Sequence, residues 1–234
     1  MDKRIAVIIP AYNEEKTVGE VVRGVRALGE GFDPVVIDDS SIDKTAEKAE
    51  AAGATVIELP YNLGIGGAVQ TGFKYALMNG YDGCIQVDGD GQHPPGEIKK
   101  VVEPLFTGHY DIVIGSRFVG ETNYRVPFMR ALGIRIISIF LKIVCGMNVK
   151  DTTSGFRALN GRAMAFFAAE YPQDYPEPES LLFAHKKKFT VTEVPIQMED
   201  RKHGISSITP FRAAYYMVKV LLAMAIDLFR AFKE

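Results

Sequence analysis

The sequence predicts an α/β protein, a mostly parallel central sheet flanked by helices, and three observations predict it. Short β-branched runs alternate with segments of helical periodicity from Arg4 to Arg117. Four of those runs stop at polar clusters: Asn13-Glu14, Asp38-Asp39, Asp88-Asp90 and Ser116-Arg117. The composition is that of a globular protein, 47% hydrophobic and 24% charged over 234 residues, which bounds it to one domain or one domain with a tail. Lys and Arg number 27 against 29 Asp and Glu, a net charge of −2 that excludes a strongly basic nucleic-acid binder. Cys84 and Cys145 stand far apart in apolar contexts and are expected to be reduced core residues of a cytosolic protein. Met1-Asp2-Lys3-Arg4 runs straight into a strand, so no signal peptide is expected.

The first strand is Arg4 to Ile9, ending at Pro10-Ala11-Tyr12-Asn13-Glu14-Glu15. Val18, Val21, Val22, Val25 and Leu28 recur at helical spacing and predict the first helix. Phe32 to Ile37 is the second strand, followed by Asp38-Asp39-Ser40-Ser41. Asp43 to Ala52 reads as helix with Asp43 as a candidate N-cap, and Thr55 to Leu59 as the third strand. Asn62-Leu63-Gly64-Ile65-Gly66-Gly67 leads into a helix from about Ala68 to Met78. That loop lacks the Lys-Ser/Thr of a P-loop and the G-x-G-x-x-G spacing, so close packing of its backbone against a sugar or base is expected ahead of a phosphate cradle. A strand from Cys84, a helix near Glu97 to Phe106 and a strand from Asp111 to Ile114, closing at Gly115-Ser116-Arg117, complete this half. Strands alternating with helices imply parallel order and right-handed crossovers. Ligands of such sheets sit beyond the carboxyl ends of the strands, where all four polar clusters fall, and this points to a nucleotide-type site.

The chain is organised around Ile85-Gln86-Val87-Asp88-Gly89-Asp90-Gly91-Gln92-His93-Pro94. An apolar run stops at two aspartates one residue apart, with glycines between and after them. The reading is a buried strand ending in a turn that projects Asp88, Asp90 and Gln92 into one crevice. Three oxygen-bearing side chains suit a hard divalent cation, Mg²⁺ or Mn²⁺, which leaves coordination positions for phosphate oxygens. His93 is expected to stand behind that turn.

Beyond residue 120 the texture changes. Phe128 to Val144 is a strongly apolar helix carrying Arg130, Arg135, Ser138 and Lys142. Asp151-Thr152-Thr153-Ser154-Gly155-Phe156-Arg157 is a polar loop entering a short strand, in which Asp151 is expected to orient Arg157 or Ser154. Tyr175-Pro176-Glu177-Pro178-Glu179 precedes a short helix to His185, Phe189 to Met198 alternates as a strand, and Arg201 to Ser207 is a basic loop. A final helix runs from about Pro210 to Phe232, so residues 1–209 form the main domain and residues 210–234 an amphipathic appendage. No apolar run reaches the ~20 residues that span a bilayer. The last helix suits either a core position or a membrane interface, and the presence of two apolar helices bordered by cations favours attachment to a membrane surface.

The stretches PAYNE (10–14), DDSSIDKT (38–45), NLGIGGAVQTGF (62–73), VDGDGQHP (87–94), GSR (115–117), DTTSGFRAL (151–159) and EVPIQMEDRKHGISS (193–207) together resemble family 2 glycosyltransferases of the GT-A fold. Their nearest likeness is to the dolichyl- and polyprenyl-phosphate sugar synthases, and the stretches occur in the family order over nearly the whole chain. The resemblance implies a nucleotide-diphospho-sugar donor held by Pro10, Tyr12, Glu14, Asp38, Gly66, Asp88 and Ser206. It implies Mg²⁺ or Mn²⁺ on Asp88, Asp90 and Gln92, and a cytoplasmic enzyme peripheral on the inner face of the cell membrane. It leaves open the base, the sugar and the oligomeric state.

The implied reaction displaces a nucleoside diphosphate from a sugar's anomeric carbon with inversion, Asp90 being central to it. A polyprenyl-phosphate acceptor is already an anion and needs no base. It needs cations, for which Arg117, Arg130 and Arg201 are the candidates because arginine clamps phosphate bidentately. A sugar-hydroxyl acceptor needs a base instead, and Glu179, just ahead of an apolar helix, is the better match of the two glutamates there. Outside this class stand a nucleotidyltransferase, whose glycine-rich loop would follow the first strand, and a silent nucleotide-binding subunit, against which the intact Asp88, Asp90 and Gln92 argue.

Overall fold

The structure is a computed structural model that describes residues 3–120, 126, 128–198 and 210–228, with backbone alone for Arg130 and for 210–218. Seven strands form one sheet: β1 (Ile5–Ala11), β2 (Phe32–Asp38), β3 (Thr55–Glu58), β4 (Gly83–Gln86), β5 (Ile112–Ser116), β6 (Arg157–Asn160) and β7 (Val191–Pro195). Their order is β3-β2-β1-β4-β6-β5-β7. All neighbours are parallel except β6, which runs antiparallel to both β4 and β5. The expected α/β architecture is therefore present, and its single reversed strand has a consequence for the site. Because β6 is reversed, the loop that precedes it reaches the same edge as the carboxyl ends of β1, β2, β4 and β5.

The sheet is covered on both faces, as a parallel sheet requires. Along β1 the side chains alternate by the two-residue period of a strand. Ile5, Val7 and Ile9 join α1 (Val18–Arg26) and α4 (Ile98–Thr107), while Ala6 and Ile8 join α3 (Gly64–Met78). On that second face lie also α5 (Phe128–Cys145), α6 (Gly161–Ala169), α7 (Pro176–Lys186) and α8 (Pro210–Asp227). Helix α2 (Thr45–Ala51) closes the β2–β3 crossover.

Two boundaries differ from the expected ones for physical reasons. Helix α3 starts at Gly64, not Ala68, because the Asp39 carboxylate accepts the amide protons of Leu63 (2.7 Å) and Gly64 (2.9 Å) and nucleates the turn. Asp43 lies one residue before the assigned cap position yet still accepts the Thr45 amide at 2.9 Å, while its second oxygen takes that of Glu15 at 3.2 Å. The last helix is described only as far as Leu228, so its expected extension to Phe232 lies outside the described residues. Among the described residues no helix is long and apolar enough to cross a membrane.

Candidate active site

The crevice is built from four loops at the carboxyl edge of the sheet and from the loop that enters β6. At its near side, β1 and β2 are zipped beyond their register: the Asp39 amide donates to Ala11 O at 2.9 Å. The Ser41 hydroxyl donates to Asp38 and accepts the Asn13 amide at 2.9 Å, and Asn13 Oδ1 accepts the Ile42 amide at 2.9 Å. Asn13 and Ser40 hold φ of 57° and 63°, left-handed values that non-glycine residues take at some cost and that cluster at functional sites. Tyr12 stands exposed at this rim, Asp38 is buried beneath it, and Glu14 accepts the Thr17 hydroxyl at 3.0 Å. Pro10 is buried within β1, and its carbonyl faces Gly89, where a Cβ would approach to 3.1 Å. Pro10 thus backs the central turn through its carbonyl.

Gly66 also departs from expectation. It is buried, and a Cβ there would lie 2.5 Å from Gln173 O and 2.6 Å from Pro172 O. The glycine admits the α6–α7 loop against α3, a close approach of protein on protein. The amides at the start of α3 are occupied by Asp39, which likewise removes them from phosphate binding.

The central turn follows β4 as expected. Asp88 is the more open of the two aspartates and Asp90 is buried at 6% exposure. Asp90 Oδ1 accepts the Gln92 amide at 3.0 Å, folding the turn back on itself. Gln86 Nε2 donates to Asp88 Oδ1 at 3.3 Å, and the His93 Nδ1 accepts the Asp88 amide at 3.1 Å. The donor set fits a hard divalent cation carried with a diphosphate: two carboxylates and an amide oxygen on one turn. Among the described residues no group of three His, Cys, Asp or Glu side chains could cage such an ion by itself, so phosphate oxygens would have to complete its shell.

Arg117 is placed where the sequence did not put it. Its Nε and Nη2 donate to the two oxygens of Asp151 at 2.7 and 2.6 Å, its amide donates to the same carboxylate at 2.9 Å, and Nη2 also reaches Thr153 at 3.0 Å. Arg117 is 4% exposed and Asp151 wholly buried. This is a bidentate structural clamp and not an open cation awaiting a phosphate. Asp151, expected to orient Arg157 or Ser154, instead holds Arg117. It is itself positioned by Glu193, whose two oxygens take the amides of Lys150 and Asp151 at 2.8 Å each. Glu193 escaped the sequence reading because a lone acid in an alternating strand carries no signal of its partners.

Arg157 is a second hub. Buried, it donates to Ser154 O (2.7 Å), Thr152 O (3.0 Å), Glu177 O (2.6 Å) and Ser180 Oγ (2.8 Å), all neutral acceptors. It thereby ties the Asp151–Phe156 loop to the first turn of α7. Burial pushes the Glu177 carboxyl above the usual carboxylate range, with Asp88 adding to the push and Arg157 and Arg117 opposing it. Residues two apart on a helix point in nearly opposite directions. Glu177, half-buried, shares a field with Asp88, while Glu179, favoured by the sequence, is buried on the other side of this turn. Arg201 and Ser206 lie outside the described residues, as does the side chain of Arg130, whose backbone lies in the first turn of α5.

A mixed sheet with this strand order, a crevice at its carboxyl edge and an Asp-x-Asp-x-Gln turn at the centre define a nucleotide-sugar transferase of the GT-A type. The chain belongs to glycosyl transferase family 2, whose sequence profile matches residues 6–165. It is 30% identical over 251 residues to a UDP-N-acetylglucosamine–dolichyl-phosphate N-acetylglucosaminyltransferase of Methanococcus voltae, covering 97% of this chain and 99% of that one. It is also 30% identical to an undecaprenyl-phosphate mannosyltransferase of Micrococcus luteus, over 88% of each chain. Among solved structures, glucosyl-3-phosphoglycerate synthase from Mycobacterium tuberculosis, in complex with Mn²⁺, UDP and phosphoglyceric acid, superposes with a TM-score of 0.74. The superposition covers 95% of this chain and 78% of that one at 22% identity, a likeness of fold.

Proposed function

We propose that this protein transfers a sugar, with inversion, from a nucleotide-diphospho-sugar to the phosphate of a polyprenyl or dolichyl phosphate at a membrane surface. The observation that carries this reading is the end-to-end similarity to two lipid-phosphate sugar transferases, with 97% and 88% of this chain aligned. In this reading Tyr12, Glu14 and Asp38 face the nucleotide, and Asp88, Asp90 and Gln92 hold Mg²⁺ or Mn²⁺ on the diphosphate. When bound, that ion would offset the charge gathering on the leaving diphosphate. Asp38 is fixed by Ser41, and Asp88 by Gln86 and His93, so the donor-side groups need little reorganisation on binding. The acceptor phosphate is mostly dianionic near neutral pH, with a second pKa of about 6, and attacks without a protein base. Arg130 and Arg201 remain the candidates to position it, since Arg117 is committed to Asp151.

Helix α5 supports attachment to a membrane surface. Phe128, Leu132, Ile136, Ile139 and Ile143 are exposed and fall within an arc of about 80° at 3.6 residues per turn. Ile134, Ile137, Leu141 and Cys145, on the far side of the helix, enter the core. Arg135 and Lys142 are exposed along one edge of the apolar arc, and α5 contains no acid. Leu222 and Ile226 extend the apolar surface on α8. An apolar face edged by cations suits an anionic lipid surface, which would also present the lipid acceptor.

One observation favours a second reading, transfer to a sugar hydroxyl. The Glu177 carboxyl, raised by burial and to a lesser degree by the Asp88 charge, has the environment of a general base. Assaying Glu177→Gln, Glu179→Gln and Arg201→Ala with a short polyprenyl phosphate separates the two. Lipid-phosphate transfer predicts near-normal glutamate variants and an inactive Arg201→Ala. An inactive Glu177→Gln or Glu179→Gln beside a healthy Arg201→Ala refutes it and assigns the base.

A further inference from the structure

The Asp88 turn is held from behind by a pair of rings that no ligand assignment includes. We propose that the His93 imidazole, braced by Phe156, is a positioning residue that sets the Asp88-Gly89-Asp90 turn, so that affinity for a divalent cation depends on the Asp151–Phe156 loop. The inference rests on the metal reading of that turn.

His93 is 2% exposed and lies five residues beyond Asp88. Strand β4 ends at Gln86, so the Asp88 amide has no neighbour strand to donate to, and a buried amide needs an acceptor. His93 Nδ1 supplies it at 3.1 Å, which places the lone pair on Nδ1 and the ring proton on Nε2. The 3.7 Å approach of the same nitrogen to the Asp88 carboxylate is then not an ion pair. The imidazole stacks on Phe156, with centroids 4.8 Å apart and planes inclined by 12°.

Phe156 is fully buried and is fixed by its backbone. Its carbonyl accepts the Gly115 amide at 2.8 Å, and its amide donates to Ser154 Oγ at 3.3 Å. The preceding residue closes the other side of the carboxylate: a Cβ on Gly155 would lie 2.8 Å from Gln86 Nε2 and 3.4 Å from Asp88 Oδ1. Asp88 is thus seated by its amide on His93, by its carboxylate on Gln86, and by the loop on both. The loop in turn begins at Asp151, locked by Glu193 and Arg117. A change on that loop has a direct mechanical route to the donor turn through the two stacked rings.

Three substitutions separate positioning from mere core filling. His93→Asn places an amide oxygen near the Nδ1 position and keeps the acceptor, His93→Phe keeps the stack without the acceptor, and Phe156→Leu keeps bulk without the stack. Mn²⁺ binding is read from the loss of the free-ion electron paramagnetic resonance signal, with UDP and in parallel with GDP, and thermal midpoints are recorded for each variant. His93→Phe and Phe156→Leu should each weaken Mn²⁺ by roughly 10–100-fold, the usual effect of losing support behind a ligand. His93→Asn should stay within about threefold of wild type, and the double variant His93→Phe/Phe156→Leu should be no weaker than the worse single one, because both act through one contact. The inference is overturned if folded His93→Phe binds Mn²⁺ like wild type, or if His93→Asn is as weak as Phe156→Leu. Should wild type bind no Mn²⁺ with either nucleotide, the metal reading of the turn fails first.

Discussion

Replacing Arg117 with Met removes one partner of a wholly buried ion pair. Asp151 then keeps a single donor, the Arg117 amide, where it had three at 2.6–2.9 Å. Leaving a buried carboxylate unpaired costs about 3–5 kcal/mol. In a domain of this size each kcal/mol moves the thermal midpoint by roughly 2–4 °C, so a fall of about 6–20 °C is expected. The double variant Arg117→Met/Asp151→Leu removes the charge as well and should recover part of that loss. What remains is the Arg117 amide without an acceptor, about 1–3 kcal/mol. Urea and thermal melts of the two variants measure this directly, and transfer assays accompany them. If Arg117→Met melts like wild type while its KM for the lipid acceptor rises, the clamp assignment is wrong. Arg117 is then the phosphate grip that the sequence suggested.

Asp90→Ala should lower transfer by on the order of 10³-fold, corresponding to several kcal/mol of lost charge stabilisation, and full activity of this variant or of wild type in excess EDTA would refute the role of the turn. Ile139→Asp/Ile143→Asp, placed on the exposed arc of α5, should abolish flotation with anionic liposomes without lowering the thermal midpoint; unchanged flotation would move the attachment elsewhere. Asp111 is held below its ordinary value near 3.8: burial opposes this, but hydrogen bonds from Thr190 and Asn160 and the Arg162 charge outweigh it. Its contribution is therefore full above that value and lost as pH falls through the depressed native pKa, so Asp111→Asn should destabilise by about 1–2 kcal/mol at pH 7 and begin to converge on wild type only as pH falls below 3.8 in urea titrations.

The sequence by itself determined the layered α/β order and the central turn. Both are written in local signals: two-residue alternation in β1, valines at helical spacing in α1, and glycines that break the chain around Asp88 just after β4. Burial patterns and chain breaks are properties of neighbouring residues, so they survive in one dimension. Tertiary structure alone decided who holds whom. Asp39 starts α3 from 24 residues away, and Gly66 admits the backbone of Pro172 and Gln173. Arg117 turns inward because Asp151, from a loop that the reversed β6 brings to the same edge, offers both oxygens. Glu177 and Glu179 are chemically alike in the sequence, and only the rotation of α7 against β6 distinguishes them. His93 and Phe156 stack across a long separation in the chain because β6 pairs with β4 and brings its entry loop beside the turn after β4. Partner choice among charged and aromatic side chains is fixed by where the sheet order and helix rotation bring them, and nothing in local periodicity encodes that.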